Sequence, residues 1–597
     1  MSNVTPADEA ILMHSGDQKH PKGLRVLFAT EMWERFNFYG MRALLTLFLV
    51  NSLAMREDTA SLIYGGFLGL SYLTPMLGGY ISDKYLGNRN CIILGGFVMA
   101  IGQLLLFASA STFSSNLSVA TSLMWFALVV IIFGNGFFKP NISSMVGQLY
   151  PKQQKGKLDS AFTIFYMGIN LGALLGQTIC PLLGDRKTER IVNGVVESVR
   201  NVEAFKWGFL AAGIAMLVGT ITFIILKNKY VVTPEGAAIG SRPLRGDAAL
   251  AADPDEVKAD FSNRSVAILL GLLVVFYFIF QYVSYDPNIM IDPKGRGYFY
   301  NLAMSPIKTY IYPFIYAAGL SLAVFIMSDK SLTKVEKQRI GVLYIVAFFV
   351  IFFWAAFEQA GSSLTFIADN QTDTNILGWN MPPSMVQNFN GLFVIIFAIP
   401  FSLLWVWLGR RRAEPISPVK QAIGLFLIAL GYFIIAMQVK DLGTTGKLGV
   451  IWLIVLYLLH TWGELCLSPI GLSLVAKLAP KRFASLLMGV WFLSNAAGYA
   501  LTGTLGALLP PTGEKYQAAA KHGIDLGAVL KKTATLSPEQ SKFLADEKIP
   551  TIFPTFMGFT IETLYDFFMV FVILCGVAAV VLYALTPLLK RMMHGVR

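Results

Sequence analysis

Long apolar runs separated by short polar turns repeat along the whole chain. A run of about 18 or more residues is long enough to cross a hydrocarbon core as a helix. The runs predict spans near 25–51, 60–82, 89–110, 121–147, 158–183, 205–227, 265–285, 305–327, 338–368, 383–409, 418–438, 450–477, 483–509 and 556–589, about fourteen in all. The polar remainder is too small to clothe a soluble protein of 597 residues. Hydrophobic residues make up 55% and charged residues 14%, against about 25% charged in a typical soluble chain. The predicted fold class is an all-α polytopic membrane protein.

The net charge of +12 sits in short loops and not on any soluble domain, so it gives no reason to expect nucleic acid as a partner. Alternate loops carry Lys84 and Arg89; Lys152, Lys155 and Lys157; Lys227 and Lys229; Lys330 to Arg339; Arg410 to Arg412; Lys481 and Arg482; and the tail Lys590, Arg591 and Arg597. The opposite loops "SASTFSSNLSVATS" and "ADNQTDTNILGWNMPPS" have no Lys or Arg. This alternation predicts that both termini are cytoplasmic. Residues 1–24 lack the apolar core of a signal peptide, so no cleavage is expected. Cys91, Cys180, Cys466 and Cys575 are scattered in apolar segments and read as small core residues, not as a disulfide or metal set.

An internal repeat sets the domain plan. "GNGFFKPNISSMVGQLYPK" and "GELCLSPIGLSLVAKLAPK" align at a constant offset, 463 − 134 = 329, matching Gly134/Gly463, Pro140/Pro469 and Pro151/Pro480. Both copies run toward a basic inner loop, which makes the repeat parallel, the arrangement of two six-helix halves. The plan is an N-terminal segment 1–24, a six-helix bundle 25–227 and a cytoplasmic linker 228–264. An inserted hairpin 265–327, a second bundle 338–589 and a tail 590–597 follow. The outer loop 510–555 is expected to hold a short amphipathic helix and no separate domain.

The first span contains "EMWERFNFYGMR", four charges where each costs roughly 2.5–3.5 kcal/mol at a bilayer centre. At 100° per residue Glu31, Glu34, Arg35, Phe38, Tyr39 and Arg42 share a sector about 140° wide. Glu31 and Arg35 form an i,i+4 pair. One reading is a structural ion pair that ties helices together. The other is the lining of a water-filled cavity, since ionisable residues within spans mark substrate or ion pathways.

The remaining intramembrane charges are Lys139 in "GFFKPN", Glu358 in "FFWAAFEQAGSS" and Glu464 in "TWGELCLSP". The repeat sets Lys139 opposite Ser468 and Glu464 opposite Asn135, so a Lys139/Glu464 gate between the halves is expected. Gln387, Asn390, Asn170 and Asn495 are ligand contacts or packing hydrogen bonds. Trp354 and Trp491 line a pocket or pack, and His460 is a proton relay or a core histidine.

With these residues in hand, "EMWERFNFYG" resembles the ExxERFxYYG motif of proton-dependent oligopeptide transporters, a branch of the major facilitator superfamily. "GGYISDKYLGNRN", "FFKPNISSMVGQLY", "DSAFTIFYMGINLGAL" and "GELCLSPIGLSLVAKLAP…MGVWFLSN" resemble further family signatures over nearly the whole core. Bacterial members also carry two extra helices between the halves.

The resemblance implies proton-driven import of di- and tripeptides across the bacterial inner membrane. By motif position, Glu31, Glu34, Arg35 and Glu358 would couple protons. Arg42 with Glu358, and Lys139 with Glu464, would be gate pairs. Arg35, Tyr39, Arg42, Tyr72, Lys139, Asn170, Trp354, Asn390, Glu464, Ser468 and Trp491 would contact the peptide. The partners implied are peptide, protons and lipid, with a monomeric chain and no cofactor or metal. The motif departs from the family at Phe38, where a tyrosine is usual, and at Gly391, where proline is common after the Asn390 position. A carrier of the same family for another anionic or zwitterionic solute, such as nitrate or a modified peptide, is the alternative. An enzyme is not expected, for the chain has no HExxH, no GxSxG elbow and no His/Cys/carboxylate cluster.

Overall fold

The computed structural model describes residues 20–150, 158–192, 195–233, 236–242, 263–283, 307–443, 446–480 and 483–596. The segment before His20, Lys152, Lys155, Lys157, Lys481, Arg482 and Arg597, most of the linker, and the middle of the inserted hairpin lie outside these residues.

Every predicted span has a helix. The first six are α1 (Lys22–Asn51), α2 (Glu57–Ile81), α3 (Asn88–Thr112), α4 (Leu117–Gln148), α5 (Leu158–Gly184) and α6 (Phe205–Tyr230). The inserted pair is α7 (Asn263–Val283) and α8 (Tyr312–Met327). Then come α9 (Lys334–Phe357), the short α10 (Ser363–Asn370), α11 (Asn388–Arg410), α12 (Ser417–Val439), α13 (Val450–Leu478) and α14 (Ala484–Gly506). Three short helices, α15 (Gly513–Lys521), α16 (Leu526–Leu530) and α17 (Pro538–Asp546), precede α18 (Leu564–Met592). Eleven helices among the described residues are long and apolar enough to cross a membrane.

Local chemistry sets the helix ends. Asn116 accepts the amide of Val119 at the start of α4, and capping boxes Thr333–Glu336 and Thr563–Asp566 open α9 and α18. Each cap satisfies amides that the first turn leaves unpaired, worth about 1 kcal/mol. At Glu358 the α-helix ends and the chain tightens into a 3-10 turn, Glu358–Gly361, before α10 resumes. That break seats a carboxylate at a helix end.

The chain packs as two compact units. The first holds Met1–Arg42, Thr74–Gly184 and Glu203–Pro254. Its helices close on glycines. A Cβ at Gly172 would lie 2.1 Å from the Met32 carbonyl, and one at Gly176 would lie 2.4 Å from the Phe36 carbonyl. So α5 lies directly on the α1 backbone, the small-residue packing by which helices approach in lipid. Below α6, Arg89 ties down the start of the linker. It donates to the carbonyl oxygens of Lys227, Val231 and Ile239 and to Asn228 Oδ1. Gly87, at φ 75°, lets the chain pass Ser241 where a Cβ would come within 2.3 Å of its carbonyl.

The second unit holds Ala43–Leu73, Asp185–Val202 and Asp255–Arg597. Within it, α12 packs on α13 and α18, α9 on α14, and α8 on α14. The Tyr312 hydroxyl of α8 donates to the Leu62 carbonyl of α2 at 2.8 Å. Among the described residues four two-stranded sheets decorate the loops: β1 (Lys187–Val192) with β2 (Val195–Arg200), β3 (Thr372–Asp373) with β6 (Leu448–Gly449), β4 (Asn375–Ile376) with β5 (Trp379–Asn380), and β7 (Thr555–Phe556) with β8 (Phe559–Thr560). The loop after α14 is richer than its sequence reading. Its three short helices bury Ala519, Ile524, Leu526, Val529, Leu530, Leu544, Ile549 and Phe553 in a cluster of their own.

Candidate functional site

The charged face of α1 folds in on itself. Arg35 Nε lies 2.7 Å from Glu31 Oε1 and 3.1 Å from Glu34 Oε2. All three side chains are buried, the two glutamates completely. The i,i+4 spacing brings Glu31 to Arg35, while Glu34 reaches the same guanidinium from the preceding position. Glu31 Oε2 and both oxygens of Glu34 accept no hydrogen bond among the described residues. Two turns further on, the Arg42 guanidinium lies 4.8 Å from the centroid of the Tyr39 ring, a cation–π contact. Phe38, buried, meets Tyr39 edge-on at 5.9 Å.

Lys139 is half-buried on α4 next to Pro140, and Asn170 is half-buried on α5. Asn170 donates to the Tyr166 carbonyl of its own helix at 2.9 Å. These residues all belong to the first unit.

The second unit gathers the other expected site residues. Asn390 donates to Glu464 Oε2 at 3.0 Å and to Thr461 Oγ1 at 3.1 Å, so α11 and α13 present an amide and a carboxylate side by side. Ser468 lies one turn beyond Glu464 on α13 and is half-buried. Trp354 meets Tyr499 at 5.8 Å, and Tyr499 meets Tyr72 at 4.6 Å, which joins two expected residues through one that the sequence reading passed over. Trp491 packs against Gly471, where a Cβ would fall 2.0 Å from its ring. His460 sits 4.8 Å from the Tyr432 ring and 6.2 Å from that of Phe357, the packing of a core histidine. Glu358, buried at its helix break, accepts from the Tyr64 hydroxyl at 3.3 Å. Of the two expected gate pairs, Arg42 and Lys139 belong to the first unit, and Glu358 and Glu464 to the second.

Sequence reasoning missed one polar cluster entirely. Arg200, at the end of β2, places Nη1 2.6 Å and Nη2 2.7 Å from the two carboxylate oxygens of Asp369, and its Nε 2.9 Å from Asp185. Lys187 joins Asp369 at 2.8 Å. Asp185 in turn accepts from the amide and hydroxyl of Ser384. Nearby in the chain, Glu57 takes Lys515 at 2.5 Å and Asn370 at 2.9 Å. These residues sit at the ends of helices and on the short strands and helices between spans, so no period of apolar positions announces them.

Comparison with known proteins places this geometry. A family profile described as "POT family" matches residues 89–244 and 303–519. The uncharacterized transporter YclF of Bacillus subtilis is 33% identical over 494 residues, 82% of this chain and 88% of that one. The peptide transporter YePEPT of Yersinia enterocolitica is also 33% identical, over 499 residues, with 82% and 88% covered. A crystal structure of a peptide transporter POT in complex with sulfate superposes with a TM-score of 0.69 at 26% identity, covering 97% of each chain.

Proposed function

Because the chain belongs to the POT family and has the major facilitator fold, we propose that it imports di- and tripeptides in symport with protons by alternating access. The observation that carries this reading is the buried Glu31–Glu34–Arg35 cluster, which has two carboxylates for one guanidinium. Both carboxylates face the Arg35 guanidinium in a buried site, and Glu34 also feels the Lys139 cation. A single added proton therefore changes the net charge that the buried cluster must hold. Desolvated charge without hydrogen bonds is costly, so proton occupancy and the packing of α1 are linked, as coupling requires.

A peptide is a dipole, best held by separated opposite charges where the local dielectric is low. Glu464, steadied by Asn390 and Thr461, suits the ammonium end and the neighbouring peptide group. Arg35, Arg42 and Lys139 suit the carboxylate. Tyr39, Tyr72, Trp354 and Trp491 suit side chains, and Asn170 and Ser468 add hydrogen-bonding groups. In this scheme the Arg42/Glu358 and Lys139/Glu464 pairs gate the two ends of the path. Each positive charge carried inward gains about 2.3 kcal/mol per 100 mV of membrane potential.

The test uses the full chain in proteoliposomes. An inward proton gradient should drive accumulation of a labelled dipeptide, competed by di- and tripeptides. Absence of accumulation, with nitrate or a modified peptide accumulated instead, would overturn the peptide reading.

A further inference from the structure

Two loops of the second unit repeat the same small object. β4–β5 and β7–β8 align at a constant offset, 555 − 375 = 180, pairing Asn375/Thr555, Ile376/Phe556, Leu377/Met557, Gly378/Gly558, Trp379/Phe559 and Asn380/Thr560. The backbones agree as well. Leu377 and Gly378 have φ 52° and 88°, and Met557 and Gly558 have φ 48° and 85°. Each hairpin is closed behind by one more hydrogen bond, Met381 amide to Thr374 carbonyl and Ile561 amide to Pro554 carbonyl.

Both turns have positive φ at their two central positions, where Asn-Gly or Asp-Gly is the usual choice. Here the first position holds Leu377 and Met557, side chains that resist that conformation. The two residues are also the most exposed part of each hairpin, Leu377 fully and Met557 at 84%. Trp379 and Phe559 follow, at 48% and 75%. No charged residue occurs from 374 to 381 or from 554 to 561. An apolar tip that is both strained and bare to water has no stabilising reason in a soluble setting.

We propose that the two hairpins are interfacial anchors whose Leu377/Trp379 and Met557/Phe559 tips rest in the headgroup layer of the outer leaflet. Each is rooted at the start of a membrane helix, ending three or four residues before the spans Pro383–Arg410 and Leu564–Met592. Those two spans both finish on basic residues, Arg410 and Lys590 with Arg591, so their starts face the outer side by the positive-inside rule. The headgroup layer is about 5–8 Å deep on each side of the hydrocarbon core. A hairpin of this length reaches about 10 Å from its root, so a hairpin inclined toward the membrane plane keeps its tip in that layer. On the span that follows the first hairpin, Leu392, Ile395, Ile396, Ile399 and Leu403 of α11 are exposed apolar side chains. Tryptophan is a residue of the interfacial aromatic belt, and Trp, Phe and Leu together make the apolar face of segments that lie in the interface.

The experiment places nitroxide labels on the full chain in proteoliposomes at Leu377→Cys and Met557→Cys. Trp379→Cys and Phe559→Cys repeat the measurement at positions with ordinary backbone. The four native cysteines are buried, and wild type treated with the same label gives the background. A label at Glu539→Cys, exposed on α17, reports water. Hairpin labels should collide with oxygen several-fold more than with a water-soluble nickel chelate, with the order reversed at residue 539. Hairpin labels that read like residue 539 would overturn the proposal. Labels shielded from both colliders would also overturn it, by showing a second copy or another protein in place of lipid.

Discussion

Arg200 and Asp369 form a two-pronged ion pair between the end of β2 and the end of α10, and Asp185 takes the third edge of the same guanidinium. Burial alone would lower the Arg200 pKa, but Asp369 and Asp185 together raise it above the usual arginine range. Replacing Arg200 by Ala takes the guanidinium from two buried carboxylates, leaving Asp369 to Lys187 and Asp185 to the amide and hydroxyl of Ser384. The expected cost is about 3–5 kcal/mol, read as a clear drop in the thermal-unfolding midpoint of purified protein. Lys515→Ala breaks the more accessible pair with Glu57, and should cost no more than about 1 kcal/mol. Equal effects from the two substitutions would count against burial as the deciding factor.

Glu34→Gln keeps the shape of the α1 cluster but holds it permanently free of that ionisation. Counterflow of a labelled dipeptide should persist, while accumulation driven by a proton gradient should vanish. Concentrative uptake by the variant would remove Glu34 from coupling.

Lys139→Ala and Glu464→Ala should each abolish concentrative uptake, because each leaves one unit without its charge for the proposed gate. Normal accumulation in either variant would sink the gate pair.

Glu464→Gln retains a hydrogen-bond acceptor for Asn390 yet loses the negative charge. Hydrogen bonds to charged groups contribute about 1.5–3 kcal/mol, so binding of a free-amino dipeptide should weaken about tenfold to a hundredfold. Competition by the N-acetylated dipeptide should be unchanged. A uniform loss for both ligands would indicate misplacement of α13 in place of recognition of the ammonium.

Gly172→Leu tests the helix contact beneath the charged cluster. Its side chain has no room against the Met32 carbonyl. Overpacking of this kind costs about 1–3 kcal/mol or more, and the thermal midpoint should fall. Uptake should fall with it if the geometry of Glu31, Glu34 and Arg35 depends on α5.

The helices were legible because lipid imposes one rule, a continuous apolar run, and each predicted span carries it. The α1 cluster was legible because charge is conspicuous in such a run, and the i,i+4 spacing named the Glu31–Arg35 partner. Asn390 beside Glu464 was only half legible: the sequence marked both residues as unusual, yet nothing in it measures their approach across 74 residues. Tyr499 and Tyr64 were passed over because a tyrosine in an aromatic-rich chain carries no signal of its own. The Arg200 cluster and the helices after α14 were illegible for a different reason. They lie at element ends and in short elements between the spans, where partners are chosen by chain path and not by period. The β4–β5 and β7–β8 repeat is visible in the letters, but only the shared φ values give it meaning.

Arg89 has a last consequence, for which parts of the chain are free to vary. Three of its four partners are main-chain carbonyls, so what it recognises on the linker is a path and scarcely a composition. Val231 and Ile239 add buried side chains to that hold, while the open turn at Gly236, with nothing near its Cβ position, is a natural place to insert a tag. Arg89 itself has no latitude. Lysine cannot present several donors in one plane, so a conservative-looking exchange there would release the start of the linker.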